Sequence, residues 1–287
     1  REVDEANRAV KYVISISREL NGERDIPRLL TLILSKAREI CNADAGSIYT
    51  VDSPTGDIKD GRIHFRFTQN DSIEQNLTAF SMPVNESSIV GNSVLHGATI
   101  NIPDLYKLSP NPDDNPFRAK HDRSWDLRNG YESHSMISVP MFDISHNVIG
   151  VIQLINRKKK TAPKGPMATS EDFAECVTPF DEEDQEHLEI IGQQAGMALE
   201  NANFQESIEA LFDGFVHASV YAIEKRDPTT SGHSHRVAHL TVRVAQIVSD
   251  IQVGPYKATT FHEDQFKDLE YASLLHDFGK VGVREDV

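Results

Sequence analysis

The stretch S-M-I-S-V-P-M-F-D-I-S-H-N-V-I-G-V-I-Q-L-I, Ser135–Ile155, decides the fold of the larger part of this chain. It contains two apolar runs rich in β-branched residues, Ser135–Phe142 and Val148–Ile155, joined by the polar segment Asp143–Asn147. Two strand-forming runs around a short polar turn are the pattern of a β-hairpin. The stretch therefore predicts an antiparallel sheet.

Neighbouring segments extend this sheet and supply a helix to cover it. Ala45–Val51 is a predicted strand, and Arg62–Thr68 alternates strictly, so that Ile63, Phe65 and Phe67 should share one face. Upstream, apolar residues recur at helical spacing: Leu29, Leu30, Ile33, Leu34, Ala37, Ile40 and Cys41. Helices, an antiparallel sheet and a long closing helix together predict the α+β fold class.

Long helices are predicted on both sides of this region. Residues 1–24 carry an apolar repeat and form a predicted N-terminal dimerisation helix. A second helix should begin at four acidic residues, 181–184, whose charge suits a helix N-terminus. Its stripe is Leu188, Ile191, Ala195, Ala198 and Ala202, resumed after a phase slip by Ile208, Leu211, Phe215 and Ala218. Such stripes suit a parallel helix pair, so we expect a homodimer; the alternative is packing on the same domain only.

Composition bounds the remaining possibilities. The chain has 287 residues, which suggests two domains. Its net charge of −15 argues against a nucleic-acid partner, which would require clustered Lys and Arg. Cys41 and Cys176 are the only cysteines, a usage that fits a cytoplasmic protein without a structural disulfide. The longest apolar runs fall short of a membrane span, so we expect no membrane segment in this chain.

Several motifs in the sheet region resemble those of GAF domains. They are C-N-A-D-A-G-S-I-Y at Cys41–Tyr49, N-G-Y-E-S-H-S-M-I-S-V-P at Asn129–Pro140, V-I-G-V-I-Q-L-I-N-R at Val148–Arg157 and A-L-E-N-A at Ala198–Ala202. The resemblance covers about Asp25–Asn203. It implies an antiparallel sheet flanked by helices, which serves as a ligand-binding sensor or as a dimerising module.

The Asn-Gly-Tyr segment looks most like the cyclic-nucleotide-binding branch of that family. The signature of this branch is present in part, as Asn156-Arg157, Phe180 and Asp184-Gln185. A small-molecule ligand, such as a cyclic nucleotide, is therefore one alternative, and a purely structural domain is the other. The exact pocket is unknown from sequence; the candidate residues are Trp125 and Phe117, in the long polar stretch Leu105–His134. These rings either stack on a ligand or fill the domain's own core. A bilin attached to Cys176 is a weaker alternative.

Two further segments concentrate groups that bind metals and phosphate. Leu274–Val281 reads L-L-H-D-F-G-K-V and Thr230–Val237 reads T-S-G-H-S-H-R-V. If His276 and Asp277 lie on one helical turn, they can converge on a single cation, and a carboxylate can bridge to a second ion. His233 would supply an imidazole from another helix. Lys280 and Arg236 could then contact a phosphate oxygen.

Together with A-I-E-K-R-D-P-T-T at Ala222–Thr230, these segments resemble the opening half of an HD-GYP domain. The resemblance implies an all-α HD-type helical bundle that hydrolyses cyclic di-GMP. It also implies two divalent metal ions, iron or manganese. Metal ligands would be His233, His276 and Asp277, with Lys280 and Asp277 in catalysis and Lys280 with Arg236 binding substrate.

The expected organisation is thus residues 1–24, dimerisation helix; 25–180, GAF sensor domain; 181–218, connecting helix; and 219–287, the N-terminal part of an HD-GYP domain. Later ligands of that family have no counterpart here, so the chain by itself is expected to be inactive. One alternative is a non-catalytic GAF sensor or dimerisation protein with an incomplete or degenerate HD domain. Another is an HD hydrolase acting on mononucleotides.

Overall fold

The computed structural model describes residues 15–279, except 75–78, 110, 112–114, 116, 118–120, 122, 164 and 227–231. The chain divides into two compact units, residues 1–204 and 205–287. Each unit is described by itself below. Among the described helices, none is both long enough and apolar enough to cross a membrane.

The first unit is built on one antiparallel sheet. Its strands pair in the order β3-β2-β1-β6-β5-β4, and β7 pairs with β6. The predicted hairpin forms its centre as β5 and β6. The strands are β1 (Ala43–Asp52), β2 (Arg62–Asn70), β3 (Ser81–Pro83), β4 (Ile100–Ile102), β5 (Met136–Phe142), β6 (Val148–Lys158) and β7 (Val177–Thr178).

Helices cover this sheet. They are α1 (Ile26–Cys41), α2 (Ile89–His96), α3 (Arg123–Asn129), α4 (Ser170–Cys176) and α5 (Glu182–Arg226), with short 3₁₀ turns at Ile58–Asp60 and Leu105–Lys107. Asp25 caps α1, since its carboxylate accepts from the Arg28 amide at 2.9 Å. α1 and the first half of α5 pack on one sheet face, where Leu34, Ile152 and Leu188 are fully buried in a common core. The α+β prediction is therefore confirmed for this unit.

The strict alternation predicted for β2 is wrong at Phe67. Ile48 pairs with Phe67 and Tyr49 with Phe65, so Arg66 is an extra residue opposite β1. A β-bulge of this kind shifts the facing of the strand by one residue. Ile63 and Phe65 remain buried, whereas Phe67 is on the other face and is 36% exposed.

The apolar stripe of α5 has two environments. Leu188, Ile191 and Ala198 lie in the core of the first unit, and Ile191 is only 3% exposed. Here the alternative of packing on the same domain holds. Beyond the phase slip, Ile208 and Leu211 are 65% and 75% exposed. Leu20, in the predicted N-terminal helix, also packs in the first unit's core; residues 1–14 lie outside the described part.

The second unit is helical over its described residues. The end of α5 packs with α6 (His233–Ser249) and α7 (Glu263–Leu274). Their common core contains Val216, Val220, Ala238 and Leu274. Lys267 of α7 forms an ion pair with Glu209 of α5 at 2.9 Å, and Tyr271 donates a hydrogen bond to Asp213. A helical arrangement was predicted; the HD fold itself stays a prediction.

Candidate functional site

Three of the predicted metal ligands converge in the second unit. One ligand atom each from His233, His276 and Asp277 lies within 4.8 Å of the other two. The imidazole rings of His233 and His276 are 5.4 Å apart at an angle of 60°. His233 is the first residue of α6, while His276 and Asp277 follow α7, so the helical hairpin brings together residues that are distant in sequence.

The local geometry of the His-Asp pair differs from the prediction. α7 ends at Leu274 and Leu275 caps it, so His276 and Asp277 lie in the turn that follows rather than on one helical turn. His276 Nδ1 donates to the Ser273 carbonyl oxygen at 2.8 Å. This bond orients the ring and leaves Nε2, 3.4 Å from Asp277 Oδ2, as the ligand atom.

Of the two residues predicted to bind phosphate, the structure describes only Arg236. Lys280 lies outside the described residues, so its catalytic and substrate-binding roles stay predictions. Arg236 is exposed on the first turns of α6. Its Nη1 lies over Gly232, where a Cβ would approach to 3.0 Å, and Gly232 has φ of +68°. A left-handed glycine here lets the chain enter α6 with His233 at its first turn.

This set of donors fits a divalent transition metal. Two imidazole nitrogens and one carboxylate oxygen that leave positions open are the ligands of many iron sites, and manganese accepts the same donors. The described residues supply one such three-ligand group. A second ion would share Asp277, whose carboxylate has two oxygens.

The first unit contains a buried polar row that sequence reasoning did not identify. Thr68 pairs with Ser47, Ser47 with Gln153, and Gln153 with Ser138, so the four side chains cross four strands in one row. Gln153 donates to Ser138 Oγ at 3.0 Å, and Tyr49 donates to Gln153 Oε1 at 3.5 Å. The row lies on the sheet face opposite α1 and α5. Its signal in the sequence is Gln153, a lone polar residue within an apolar strand.

The described residues of the long polar stretch Leu105–His134 include a 3₁₀ turn, Leu105–Lys107, and the helix α3. Trp125 is partly buried, and its ring lies 6.0 Å from that of Tyr131. Phe117 packs beside Ile102 and Leu105 and lines a cavity of about 570 Å³. Both rings thus contact the domain's own apolar groups. Contact with a ligand stays a prediction for both.

Asp126 anchors α3 to the strand that follows it. Its side chain is 3% exposed and accepts hydrogen bonds at 2.9 Å from the Tyr106 hydroxyl, the Ser133 amide and the Ser133 hydroxyl. Burial would raise the pKa of Asp126, but these bonds and nearby His121 outweigh burial and lower the pKa from its ordinary value.

Asn156 and Arg157, two residues of the partial signature, connect the segment before β5 to the start of α5. Asn156 is fully buried at φ of +58°; its side chain accepts from the His134 amide at 2.8 Å and donates to the Glu132 carbonyl at 2.7 Å. The next residue, Arg157, forms ion pairs with Asp181 at 2.6 Å and Asp184 at 2.5 Å. Arg157 therefore braces the end of β6 against the start of α5.

Cys176 is buried at the end of α4, which comprises Ser170–Cys176. Cys41 is also buried and free. Burial, with the nearby Asp184 carboxylate as a smaller cause, raises the pKa of Cys41 to about 12. Neither thiol is placed to form a disulfide or to react from solvent.

Comparisons with known proteins agree with this architecture. A cGMP-specific 3',5'-cyclic phosphodiesterase from Drosophila erecta is 25% identical over 203 residues, which cover 68% of this chain and only 16% of that protein. The bacteriophytochrome RpBphP3 of R. palustris shares the fold with a TM-score of 0.50 at 16% identity, covering 85% of this chain and 46% of that one. A GAF domain of a phosphoenolpyruvate-protein phosphotransferase from Coxiella burnetii aligns with a TM-score of 0.48 at 16% identity, over 69% and 96% of the two chains.

Residues 25–199 match the family description GAF domain. This range includes the complete antiparallel sheet, α1–α4 and the buried first half of α5. The chain therefore belongs to the GAF domain family.

Proposed function

We propose that this chain is part of a GAF-regulated, metal-dependent phosphodiesterase of the HD-GYP type, which hydrolyses cyclic di-GMP and acts as a homodimer. The observation that carries the proposal is the convergence of His233, His276 and Asp277 within 4.8 Å. The Drosophila erecta relative, named as a cyclic phosphodiesterase, resembles this chain over its GAF region and so supports the presence of a GAF domain in such an enzyme.

In this proposal each side chain has a defined task. His233, His276 and Asp277 would hold iron or manganese in a two-metal centre. The metals would supply an activated water and stabilise charge on the phosphate. Ser273 holds the His276 ring through its carbonyl oxygen. Lys280 and Arg236 neutralise non-bridging phosphate oxygens.

The test combines metal content with turnover. His276→Ala with Asp277→Ala should abolish tight binding of Mn²⁺ or Fe²⁺ to this chain and hydrolysis of cyclic di-GMP by the full protein. A matched control is His239→Ala with Asp268→Ala, which removes the same residue types from exposed positions in the same unit. Undiminished turnover in the first double variant would show that the site is not catalytic. Metal binding without turnover by the unsubstituted full protein would favour a non-catalytic sensor.

A second function, small-ligand binding by the GAF domain, is supported by the polar row. Ser47, Gln153 and Ser138 are buried on the sheet face that α1 and α5 leave free. Hydroxyl and amide groups in an apolar surround are the donors and acceptors that orient a nucleotide base. The prediction is that cyclic GMP or cyclic AMP changes the emission of Trp125, the only tryptophan, and raises the melting temperature.

Gln153→Leu separates ligand binding from folding in this test. The substitution removes the amide but keeps a side chain of similar size, so the domain should still fold, with a melting temperature lowered by the partners that Ser138 and Tyr49 lose, and it should not respond to nucleotide. If millimolar cyclic nucleotide leaves emission and melting of the unsubstituted protein unchanged, the GAF domain acts as a structural module.

A further inference from the structure

A cavity at the end of β6 collects the lysines of the only run of four basic residues in this acidic chain, Arg157–Lys160. Arg157 is engaged by Asp181 and Asp184. The three residues that follow it line a cavity of about 360 Å³: Lys158, Lys159 and Lys160. We call this cavity the lysine pocket. Its other walls include Asn42, Asp71, Ala162, Pro163 and Pro166.

The backbone around the lysine pocket is held at several points. Asn42, at φ of +49°, donates through its side chain to the Lys158 carbonyl oxygen at 2.7 Å, and its own carbonyl oxygen accepts from the Lys158 amide at 2.8 Å. The Ala162 amide closes a turn on the Lys159 carbonyl oxygen at 2.9 Å. Further along the same loop, Met167 is 3% exposed in the core. The pocket is therefore formed in advance, which reduces the entropy that binding costs.

Lys158 is neutralised within the protein. Its side chain is 16% exposed, and its ammonium group lies 2.8 Å from Asp71 and 3.3 Å from Asp44. Arg38 pairs with Asp71 at 2.5 Å. Burial would raise the pKa of Asp71, but Lys158 and Arg38 outweigh burial and lower it, so this carboxyl group stays ionised. Two cations thus balance the two carboxylates.

Lys159 and Lys160 carry the positive charge that remains. Lys159 Nζ donates to the Glu175 carbonyl oxygen at 2.6 Å, a neutral acceptor that holds the ammonium group without cancelling its charge. Within the described part of the chain, no carboxylate pairs with either lysine. A concave surface with unbalanced charge of one sign concentrates counter-ions. In a chain of net charge −15, this local surplus indicates an anionic ligand.

We infer that the lysine pocket binds a small soluble phosphate monoester, whose phosphate group lies between Lys159 and Lys160. Lysine binds phosphate as a point charge, and two ammonium groups match the charge of about −2 on a phosphate monoester at neutral pH. The apolar wall for the organic part consists of Ala162, Pro163 and Pro166. The volume lies within the roughly 300–1,000 Å³ of small-molecule sites. The pocket shares no residue with the buried polar row or with the proposed metal ligands.

Isothermal titration calorimetry of the whole chain with phenyl phosphate tests the inference. EDTA keeps metal from the second unit, and chloride holds the ionic strength constant. We expect saturable binding of one molecule per chain at millimolar concentration. Lys159→Gln with Lys160→Gln should weaken binding at least about tenfold, because two charge-assisted contacts are lost.

The matched control is Lys59→Gln with Lys107→Gln, which removes the same charge from exposed positions in the same unit. It should change the affinity by less than about twofold, since distant exposed charges are screened. Circular dichroism should show that both double variants are folded. Absence of saturable binding by the unsubstituted chain, or an equal loss of affinity in both double variants, would overturn the inference.

Two further ligands define what the pocket recognises. Inorganic phosphate should bind at least about threefold more weakly than phenyl phosphate, because it has no apolar part to place against the wall. Equal affinities would overturn the assignment to a monoester. Cosedimentation with vesicles of phosphatidic acid and phosphatidylcholine, without binding of phenyl phosphate, would overturn the assignment to a soluble ligand.

The lysine pocket is independent of the proposed function. Binding of Mn²⁺ and the response of Trp125 to cyclic nucleotide, measured on Lys159→Gln with Lys160→Gln, should equal those of the unsubstituted chain. Failure of the lysine pocket is thereby distinguished from failure of the metal site or of the polar row.

Discussion

Removing the carboxylate of Asp126 should destabilise the GAF domain through a defined set of lost hydrogen bonds. In Asp126→Ala, the Tyr106 hydroxyl, the Ser133 amide and the Ser133 hydroxyl all lose their acceptor. Hydrogen bonds to a charged group contribute about 1.5–3 kcal/mol each, and breaking a buried charged network costs about 3–5 kcal/mol in total. For a domain of this size we expect the melting temperature to fall by about 10 °C.

Asp126→Asn separates geometry from charge. An asparagine can turn its oxygen toward the Tyr106 hydroxyl and the Ser133 amide and donate to the Ser133 hydroxyl, so we expect a cost of only about 1–2 kcal/mol. Leu127→Ala, at a side chain 83% exposed on the same helix, should change stability by less than about 0.5 kcal/mol. Thermal unfolding followed through Trp125 fluorescence measures all three variants.

The effect of Asp126 should also depend on pH. Because its pKa is lowered in the folded protein, the carboxylate stabilises the fold fully above its ordinary pKa of 3.8. That contribution is lost as the pH falls through the lower, folded value. The advantage of the parent over Asp126→Asn should therefore be constant near neutral pH and shrink below about pH 3.8. Equal melting temperatures for the parent and Asp126→Ala at pH 7 would refute the reasoning.

Three further predictions concern other parts of the chain. Gly196→Ala and Gly214→Ala make the same substitution at two positions of α5. At Gly196 the new Cβ would lie 2.1 Å from the Phe142 carbonyl oxygen, so Gly196→Ala should lower the free energy of unfolding by at least about 1–3 kcal/mol. At Gly214 the new Cβ would meet no atom within 4 Å, so Gly214→Ala should raise the free energy of unfolding in urea by up to about 1 kcal/mol. A Gly214→Ala variant less stable than the parent would contradict the open surroundings of this position. Cys41, with its raised pKa, should resist a thiol reagent at pH 8 in the folded chain and react in urea; rapid labelling of native Cys41 would contradict its burial.

Sequence patterns predicted those helices and strands whose burial depends mainly on residues near them in sequence. The hairpin of β5 and β6 needed only two apolar runs and a polar turn, and α1 needed only one stripe behind a capping residue. The short helix α3 was missed, since its polar sequence is held by Asp126, whose partners Tyr106 and Ser133 are brought in by the fold. The polar row was missed for the same reason: it exists only once the register aligns Ser47, Gln153 and Ser138.

For the three proposed metal ligands, sequence reasoning succeeded with distant residues and failed with local structure. The chemistry of His233, His276 and Asp277 was apparent from residue types and motif order, and the structure brings them together. Their local backbone was predicted incorrectly, because α7 ends before His276. The end of a helix depends on one or two capping contacts, which leave a weak mark in sequence. A motif can therefore predict which residues meet in space more reliably than it predicts the helix or turn that carries them.

The phase slip in α5 explains why the sequence alone did not show which part of its apolar stripe is buried in the domain core. One residue along an α-helix turns the side chain by about 100°, so Ile190 and Ile191 face different surroundings although both are apolar. Ile191 is buried in its own unit at 3% exposure, while Ile190 is 37% exposed. Aspartate at Ile191 or Ala198 would therefore disrupt the GAF core. The slip between Ala202 and Ile208 marks where the apolar stripe changes from side chains buried in the domain core to side chains exposed to solvent.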